Sequence, residues 1–276
     1  MSGGRLVLVG TPIGNLGDLS PRAVEALAAA TIVACEDTRR TGRLFSHLGL
    51  PSPRWVVVNE HTEGTAAAAL LDAIRAGAVV ALVSDAGMPA VSDPGAHLVA
   101  LAIDADLAVE VIPGPSAVLA ALVQSGLTTS RFVFEGFLPR KGAERTARLA
   151  EVAAEQRTSV LFEAPHRLAR TIDDLEATCG GDRRIVLARE LTKLHEQVWR
   201  GTLAEAVAHI AAVEPRGEYV VVLDGAPERA DATDDELLAA LAEARAAGRS
   251  TRDAVAAIAD GVGVAKRRVY DLAVGG

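Results

Sequence analysis

Short apolar runs alternate with alanine-rich stretches along residues 1–124 of the chain. The apolar runs carry many β-branched residues and predict buried strands; they cover residues 6–9, 32–34, 55–58, 79–83 and 109–112. The stretches between them have helical spacing, as in residues 23–30, 65–76 and 96–105. Such alternation is typical of a mainly parallel sheet with helices on both faces. We therefore predict a first α/β domain over residues 1–124.

A second series of alternating segments predicts a second α/β domain over residues 125–226. Its predicted strands cover residues 132–135, 159–162, 185–188 and 219–223, and its predicted helices cover residues 144–154, 166–178 and 203–213. Residues 191–201 have no helical pattern and predict an added strand pair or a loop.

Beyond Gly225 the chain becomes rich in alanine and charged residues. Capping-box sequences start at Thr233 and at Ser250 and predict helices there. We predict a small helical appendage over residues 227–276. Its spacing is similar to that of a helix-turn-helix unit, which in ordinary regulators binds duplex DNA.

Composition narrows the class of protein. The chain has 276 residues, 50% of them hydrophobic, and a formal net charge of −8, which favours a globular protein without a general basic coat. Cys35 and Cys179 lie far apart and form no CxxC pair, so we expect no disulfide framework, no metal site and a reducing, cytoplasmic setting. No apolar run is long enough for a bilayer and no signal-peptide pattern precedes the first strand, so we expect no membrane association.

The loops that follow the five predicted strands of the first domain are rich in glycine, proline and polar residues. In an open α/β sheet a ligand binds outside the carboxyl ends of the strands. The loops cover residues 10–14, 36–40, 59–63, 84–89 and 113–117. The pair Asp93-Pro94 predicts an acidic N-cap and first-turn proline for the next helix.

Several common chemistries have no motif in these loops. The chain has no Walker A lysine loop, no G-x-S-x-G elbow and no histidine pair with metal spacing. Phosphoryl transfer, acyl transfer and zinc hydrolysis are therefore disfavoured. Loops of small residues, backbone amides and a few carboxylates favour a nucleoside-like cofactor held by main-chain contacts.

Eight motifs follow one another in order along residues 5–225. They are GTPIGNL from Gly10, EDTRRTG from Glu36, SDAG from Ser84, SDPG from Ser92, PGPSA from Pro113, FEGFLP from Phe134, PHRL from Pro165 and ARELTK from Ala188. Together these motifs resemble the ribosomal RNA small subunit methyltransferase I family, which belongs to the tetrapyrrole-methylase-like, class III group of S-adenosylmethionine-dependent methyltransferases. In a protein of this kind we expect the C-terminal helices to add an RNA contact or to pack on a dimer.

The resemblance implies a fold, a reaction and a set of partners. It implies two α/β domains with a cofactor cleft between them, and S-adenosyl-L-methionine as the cofactor. It implies 2′-O-methylation of a cytidine ribose in 16S ribosomal RNA, as naked RNA or in the small ribosomal subunit, by a homodimer. The cofactor-binding residues that it implies are Pro12, Ser84, Asp85, Ala86, Gly87, Ser116, Ala117, Phe162, Leu191 and Tyr219.

Methyl transfer to a ribose hydroxyl needs a group that helps remove a proton. The candidates are Glu36, Asp37, His61 and Lys193, with Glu135 and Glu190 as further carboxylates in matched motifs. The carboxylates after the second strand could instead cap the next helix, and the histidine could be a simple loop residue. The candidate RNA-binding residues are Arg39, Arg40, Arg140, Lys141 and Arg189, for which a solvated surface is the alternative.

The sequence is also compatible with two other functions. A tetrapyrrole C-methyltransferase of the same fold is one, although the turn at Gly10 reads GTPIG rather than G-x-G-x-G. A non-enzymatic nucleic-acid-binding regulator that uses the C-terminal helices is the other. Binding of S-adenosylmethionine would separate the regulator from both enzymes.

Overall fold

The computed structural model describes residues 3–59, 62–227 and 232–275. It divides into two compact units, the first ending at Ala226 and the second running from Pro227. The separation of residues 1–226 into two domains at residue 124 stays a prediction.

The first sheet of the larger unit is entirely parallel. Its strands are β1 (Arg5–Val9), β2 (Ile32–Cys35), β3 (Arg54–Val57), β4 (Val79–Leu82) and β5 (Ala108–Ile112), in the order β3-β2-β4-β1-β5. The helices between and after them are α1 (Pro21–Ala29), α2 (Thr38–His47), α3 (Glu63–Arg75), α4 (Ala96–Asp104) and α5 (Ala117–Ser125). The predicted parallel α/β architecture is confirmed, and all five carboxyl ends lie at one edge of the sheet.

Helices cover both faces of this sheet because side chains alternate along each strand. On β1, Leu6 and Leu8 are buried in a cluster with apolar residues of α3 and α4. Val7 and Val9 point the other way, into a cluster with residues of α1 and α2. Strands buried on both sides are the physical reason for the continuous apolar runs in the sequence.

Serine side chains cap two helices of this part of the chain. Ser20 caps α1 before Pro21, and Ser116 caps α5. The predicted cap of α4 by Asp93 is wrong, since α4 begins at Ala96. Oε1 of Glu63 accepts hydrogen bonds from Gly95 N at 3.1 Å and from Leu98 N at 3.0 Å, so a carboxylate from α3 takes that position.

The second sheet is mixed and mostly antiparallel. Its strands are β6 (Phe132–Phe137), β7 (Thr158–Glu163), β8 (Arg184–Arg189), β9 (Gln197–Thr202) and β10 (Tyr219–Leu223), in the order β6-β7-β10-β8-β9. Only β6 and β7 pair in parallel. Its helices are α6 (Gly142–Ala154), α7 (Pro165–Cys179) and α8 (Leu203–Ala212). The strand β9 confirms that residues 191–201 are not helical.

The smaller unit is a cluster of three helices. They are α9 (Asp234–Ala246), α10 (Thr251–Val262) and α11 (Lys266–Gly275), around a core that includes Leu237 and Val269. Thr233 and Glu236 form the predicted capping box, and Ser250 caps α10. In the described parts of the chain, every helix is too short or too polar to cross a lipid bilayer.

Candidate cofactor cavity and substrate surface

A cavity of about 390 Å³ lies between the two sheets of the larger unit, and we call it the central cavity. Its first wall consists of residues that follow β1, β4 and β5. Its second wall consists of residues at one edge of the second sheet. Its size is within the range of small-molecule sites in proteins.

Seven of the ten predicted cofactor-binding residues line the central cavity. They are Ala86, Gly87, Ser116, Ala117, Phe162, Leu191 and Tyr219. The other three, Pro12, Ser84 and Asp85, line a neighbouring pocket instead. Cofactor binding by each of these residues stays a prediction.

The first wall is held together by backbone pairing between two loops. Thr11 N donates to Gly87 O at 2.9 Å, and Gly87 N donates to Thr11 O at 3.1 Å. The Thr11 hydroxyl also donates to Ser84 O at 3.2 Å. Gly87 has a φ of 83°, a conformation that favours glycine. The loops after β1 and β4 therefore form one rigid surface.

The glycine-rich turn after β1 needs glycines because other backbone approaches closely. A Cβ atom on Gly10 would lie 2.6 Å from Cα of Gly114. A Cβ atom on Gly14 would lie 2.4 Å from Cγ of Lys193 and 2.8 Å from the carbonyl oxygen of Leu191. Gly14 thus lies where the first wall contacts the second.

The second wall is largely apolar. The Phe162 ring packs edge-on against Phe134, with ring centroids 5.0 Å apart, and lies 5.6 Å from the ring of Phe137. Leu191 and Tyr219 are buried beside it. Such a surface favours the apolar faces of an adenosyl group, while the first wall offers backbone polar groups.

Lys193 lines the central cavity, and two carboxylates bind its ammonium group. Its Nζ donates to Oε1 of Glu190 and to Oε2 of Glu218, both at 2.8 Å. Burial acts to lower the pKa of Lys193, but the two carboxylates outweigh it and the pKa is raised. A lysine in this state supplies a positive charge at neutral pH, and its role as proton acceptor stays a prediction.

A carboxylate that sequence reasoning did not select, Asp93, also lines the central cavity. Burial, followed by the charge of Glu36 and a smaller effect of Asp85, raises the pKa of Asp93 to about 6, against hydrogen bonding with Ser84. Glu63 is the signal that could have indicated a functional role for Asp93. Its carboxylate caps α4, so the Asp93 carboxylate is not needed as the cap.

A pocket of about 210 Å³, here called the arginine pocket, lies beside the loops of the first wall. Arg40, Arg43 and His47 from α2 line it, together with Asp85. Nη1 of Arg40 lies 3.4 Å from Oδ2 of Asp85. Burial raises the pKa of Asp85, and Arg40 opposes that shift. Among the described residues, no donor reaches the buried Oδ1 of Asp85.

Glu36, Asp37 and Arg39 line a third hollow of about 440 Å³, the helix-start pocket, which also includes Arg40 and Asp85. Asp37 is the N-cap of α2, which confirms the capping alternative. Its Oδ1 accepts from Arg39 N at 2.8 Å, and Nη2 of Arg39 lies 2.8 Å from its Oδ2. These hydrogen bonds lower the pKa of Asp37 to about 2.

The remaining predicted site residues lie away from these pockets or outside the description. His61 lies outside the described residues. Arg140 and Lys141 are exposed between β6 and α6. The Arg189 guanidinium donates to Arg216 O at 2.6 Å. Within residues 3–59, 62–227 and 232–275, no group of histidine, cysteine and carboxylate side chains is arranged to hold a metal ion.

The fold places the chain in a known class of proteins. The family model of the Tetrapyrrole (Corrin/Porphyrin) Methylases matches residues 5–207. Uroporphyrin-III C-methyl transferase from Thermus thermophilus, solved with S-adenyl homocysteine, is similar with a TM-score of 0.57 and 24% identity, over 80% of this chain and 97% of that one. A cobalt precorrin-4 methyltransferase is similar with a TM-score of 0.62 and 17% identity, over 80% of this chain and 94% of that one. The fold is that of the tetrapyrrole methylases.

Closer relatives define the branch of that class. Ribosomal RNA small subunit methyltransferase I of Synechocystis is 45% identical over 98% of both chains. The protein of that name from Mycobacterium tuberculosis is 49% identical over 98% of this chain and 95% of its own length. The protein of that name from Pseudomonas aeruginosa is 43% identical over 99% of this chain and 98% of its own length. The chain belongs to the tetrapyrrole methylase family and, within it, to the ribosomal RNA small subunit methyltransferase I family. It is an S-adenosylmethionine-dependent methyltransferase.

Proposed function

We propose that the protein methylates the 2′-hydroxyl of a cytidine in 16S ribosomal RNA. The observation that carries this proposal is the central cavity with an arginine-lined surface beside it, in a chain whose relatives are named for small-subunit ribosomal RNA. The central cavity would hold the cofactor, and the arginine pocket and helix-start pocket would hold the RNA backbone. Arginines gathered on α2 of a protein with a net charge of −8 favour a local polyanion site rather than general nucleic-acid binding.

S-adenosylmethionine, when bound, supplies a methyl group on a positively charged sulfur. The transfer is an in-line displacement, so the protein must align the ribose oxygen with the methyl carbon and the sulfur. The second wall, around Phe162, and the backbone of the loop at Gly87 would hold the cofactor in place. Arg39 and Arg40 would bind phosphates of the RNA, with Arg140, Lys141 and Arg189 as further phosphate contacts.

The test is a transfer assay with the purified protein. Small ribosomal subunits and naked 16S RNA from cells that lack the protein are incubated with S-adenosylmethionine, digested to nucleosides and analysed by mass spectrometry. We expect one new 2′-O-methylcytidine, and comparison of the two substrates identifies the form that is used. Methylation of a base, or of a uroporphyrinogen supplied in parallel, would contradict the proposal. Loss of cofactor binding in calorimetry when the central cavity is altered, for example by Phe162→Ala, would support that cavity as the cofactor site.

We propose that a homodimer is the working unit, in the cytoplasm. The edge strand β5 exposes Val111. The helix α5, which follows β5 in the chain and packs on the second sheet, exposes Leu119 and Val123, and Val123 is 70% exposed. Exposed apolar side chains on an open edge strand and on a helix favour burial against a second copy. Val123→Asp should give a monomer in light scattering, whereas Val213→Asp, at the end of α8, should not. A wild-type monomer would contradict the proposal.

A further inference from the structure

The loop that carries Asp93 is shaped to present that side chain. Ala90 and Ser92 have φ values of 68° and 59°, and Gly95 has a φ of 122°. Residues without a glycine's freedom occupy this region at a cost, and such strain concentrates at functional sites. Because Glu63 caps α4, the Asp93 carboxylate has no structural task at the helix start.

Asp93 lies at the boundary between the central cavity and the proposed RNA surface. It lines the central cavity itself. The charges of Glu36 and Asp85 act on its carboxylate. Glu36 lines the helix-start pocket, and Asp85 lines both that pocket and the arginine pocket. A proton acceptor for methyl transfer must contact the RNA hydroxyl at the point where that hydroxyl meets the cofactor. We infer that position for Asp93 because it lines the central cavity and is influenced by carboxylates of the neighbouring pockets.

Other ionisable groups of the site are occupied by partners of opposite charge. Asp37 is bound by Arg39, and its pKa of about 2 makes it a weak base. Lys193 is held as a cation by Glu190 and Glu218, and the same contacts lower the pKa of Glu190 despite its burial. The charged groups facing Asp93 from the ends of β2 and β4 are carboxylates, which strengthen it as a proton acceptor.

We propose that Asp93 is the catalytic proton acceptor of the reaction, an inference that rests on the proposed function. As the ribose O2′ forms its bond to the methyl carbon, the carbon–sulfur bond breaks and its electron pair stays on sulfur. The proton of the 2′-hydroxyl passes to the Asp93 carboxylate and then to solvent. The products are 2′-O-methylcytidine, S-adenosylhomocysteine and one proton.

The protonation of Asp93 sets the expected pH dependence. With a pKa of about 6, the carboxylate is mostly ionised at neutral pH and mostly protonated at pH 5. A proton acceptor works in its ionised form, so kcat should rise with pH through about 6 and then level off. Removing the Glu36 charge should move this rise to lower pH, because that charge raises the pKa of Asp93.

The experiment measures kcat against pH for the full chain with saturating RNA and cofactor. Asp93→Asn should lower kcat by about 100-fold or more and abolish the rise near pH 6, with the calorimetric Kd for S-adenosylmethionine within about threefold of wild type. Asp93→Glu should restore part of the rate and a rise with pH. Asp104→Asn, the same change at the exposed end of α4, should leave both quantities unchanged.

Glu36→Gln separates the two carboxylates as candidates. If Asp93 accepts the proton, this variant keeps the rise of kcat and moves it to lower pH. If Glu36 is the acceptor, the rise is lost in this variant and kept in Asp93→Asn, which overturns the inference. An Asp93→Asn enzyme with wild-type kcat and pH profile also overturns it. A wild-type protein that makes no 2′-O-methylcytidine overturns the proposed function, and the inference with it.

Discussion

The two walls of the central cavity are built on different principles. The first wall collects loops that follow strands of an all-parallel sheet, where every carboxyl end lies at the same edge. The second wall comes from a mostly antiparallel sheet. There, Tyr219 at the start of β10 pairs with Glu163 and Arg189 at the ends of β7 and β8. One edge of that sheet therefore mixes strand starts with strand ends.

The difference in topology accompanies a difference in chemistry. The first wall supplies backbone groups, Ser116 and the carboxylate of Asp93, and the arginine pocket lies beside its loops. The second wall supplies Phe162, Leu191 and other apolar side chains. We infer that the parallel sheet carries the reacting groups and the polar contacts to the cofactor, and that the antiparallel sheet supplies most of the apolar contacts to it. Variants of each wall can test this division.

The contact between the walls should give the largest effect. Gly14→Ala places a Cβ atom 2.8 Å from the carbonyl oxygen of Leu191, so the walls must separate. Overpacking of this kind costs about 1–3 kcal/mol, and we expect a loss of S-adenosylmethionine affinity of about 100-fold in calorimetry. Gly42→Ala is the matched control, because a Cβ atom there meets nothing within 4 Å. Equal cofactor affinities for the two variants would contradict the proposed contact.

The apolar wall should give the next effect. Phe162→Ala removes a ring that packs on two other rings and lines the cavity, so cofactor affinity should fall by about tenfold, roughly 1.4 kcal/mol. The value of kcat at saturating cofactor should change less than the Kd. Leu194→Ala, a truncation of a 93% exposed side chain, should change neither. A variant with normal Kd and reduced kcat would assign Phe162 to the reacting side instead.

The same difference explains how much could be predicted from the sequence. Buried parallel strands leave continuous apolar runs, and their order places the following loops at one edge without further information. The strands of the second sheet were predicted correctly, but no pattern in the sequence indicates which of them run antiparallel. Tyr219 was predicted as a cofactor-binding residue only from the family resemblance. Asp93 was assigned to a helix cap because a local pattern cannot reveal a competing carboxylate 30 positions away, Glu63. Pro12 and Asp85 lie in the predicted loops yet face another pocket, a matter of side-chain direction.

A third prediction concerns the effect of Asp93, in the first wall, on the free energy of unfolding. The folded state raises the pKa of Asp93 from 3.8 to about 6, so folding favours its protonated form, and its contribution to stability is lost as the pH rises through about 6. Asp93→Asn should therefore raise the melting temperature by a few degrees at pH 8 and by less at pH 5. Thermal unfolding at both pH values measures this, with Asp104→Asn as the control. A variant that melts below wild type at pH 8 would show that the carboxylate stabilises the loop.

The smallest effect should come from the arginines beside the polar wall. Arg40 is largely exposed and lies 3.4 Å from Asp85, so Arg40→Ala should lower RNA affinity by only about threefold to fivefold. Because each phosphate contact releases counterions, the slope of log affinity against log salt should become shallower by about 0.7 for a single strand. Cofactor affinity should not change, since Arg40 does not line the central cavity. Arg22→Ala, on the exposed side of α1, should leave the slope as it is. If the two variants gave the same slope, the RNA surface would have to lie elsewhere. The difference between the walls would then concern contacts to the cofactor alone.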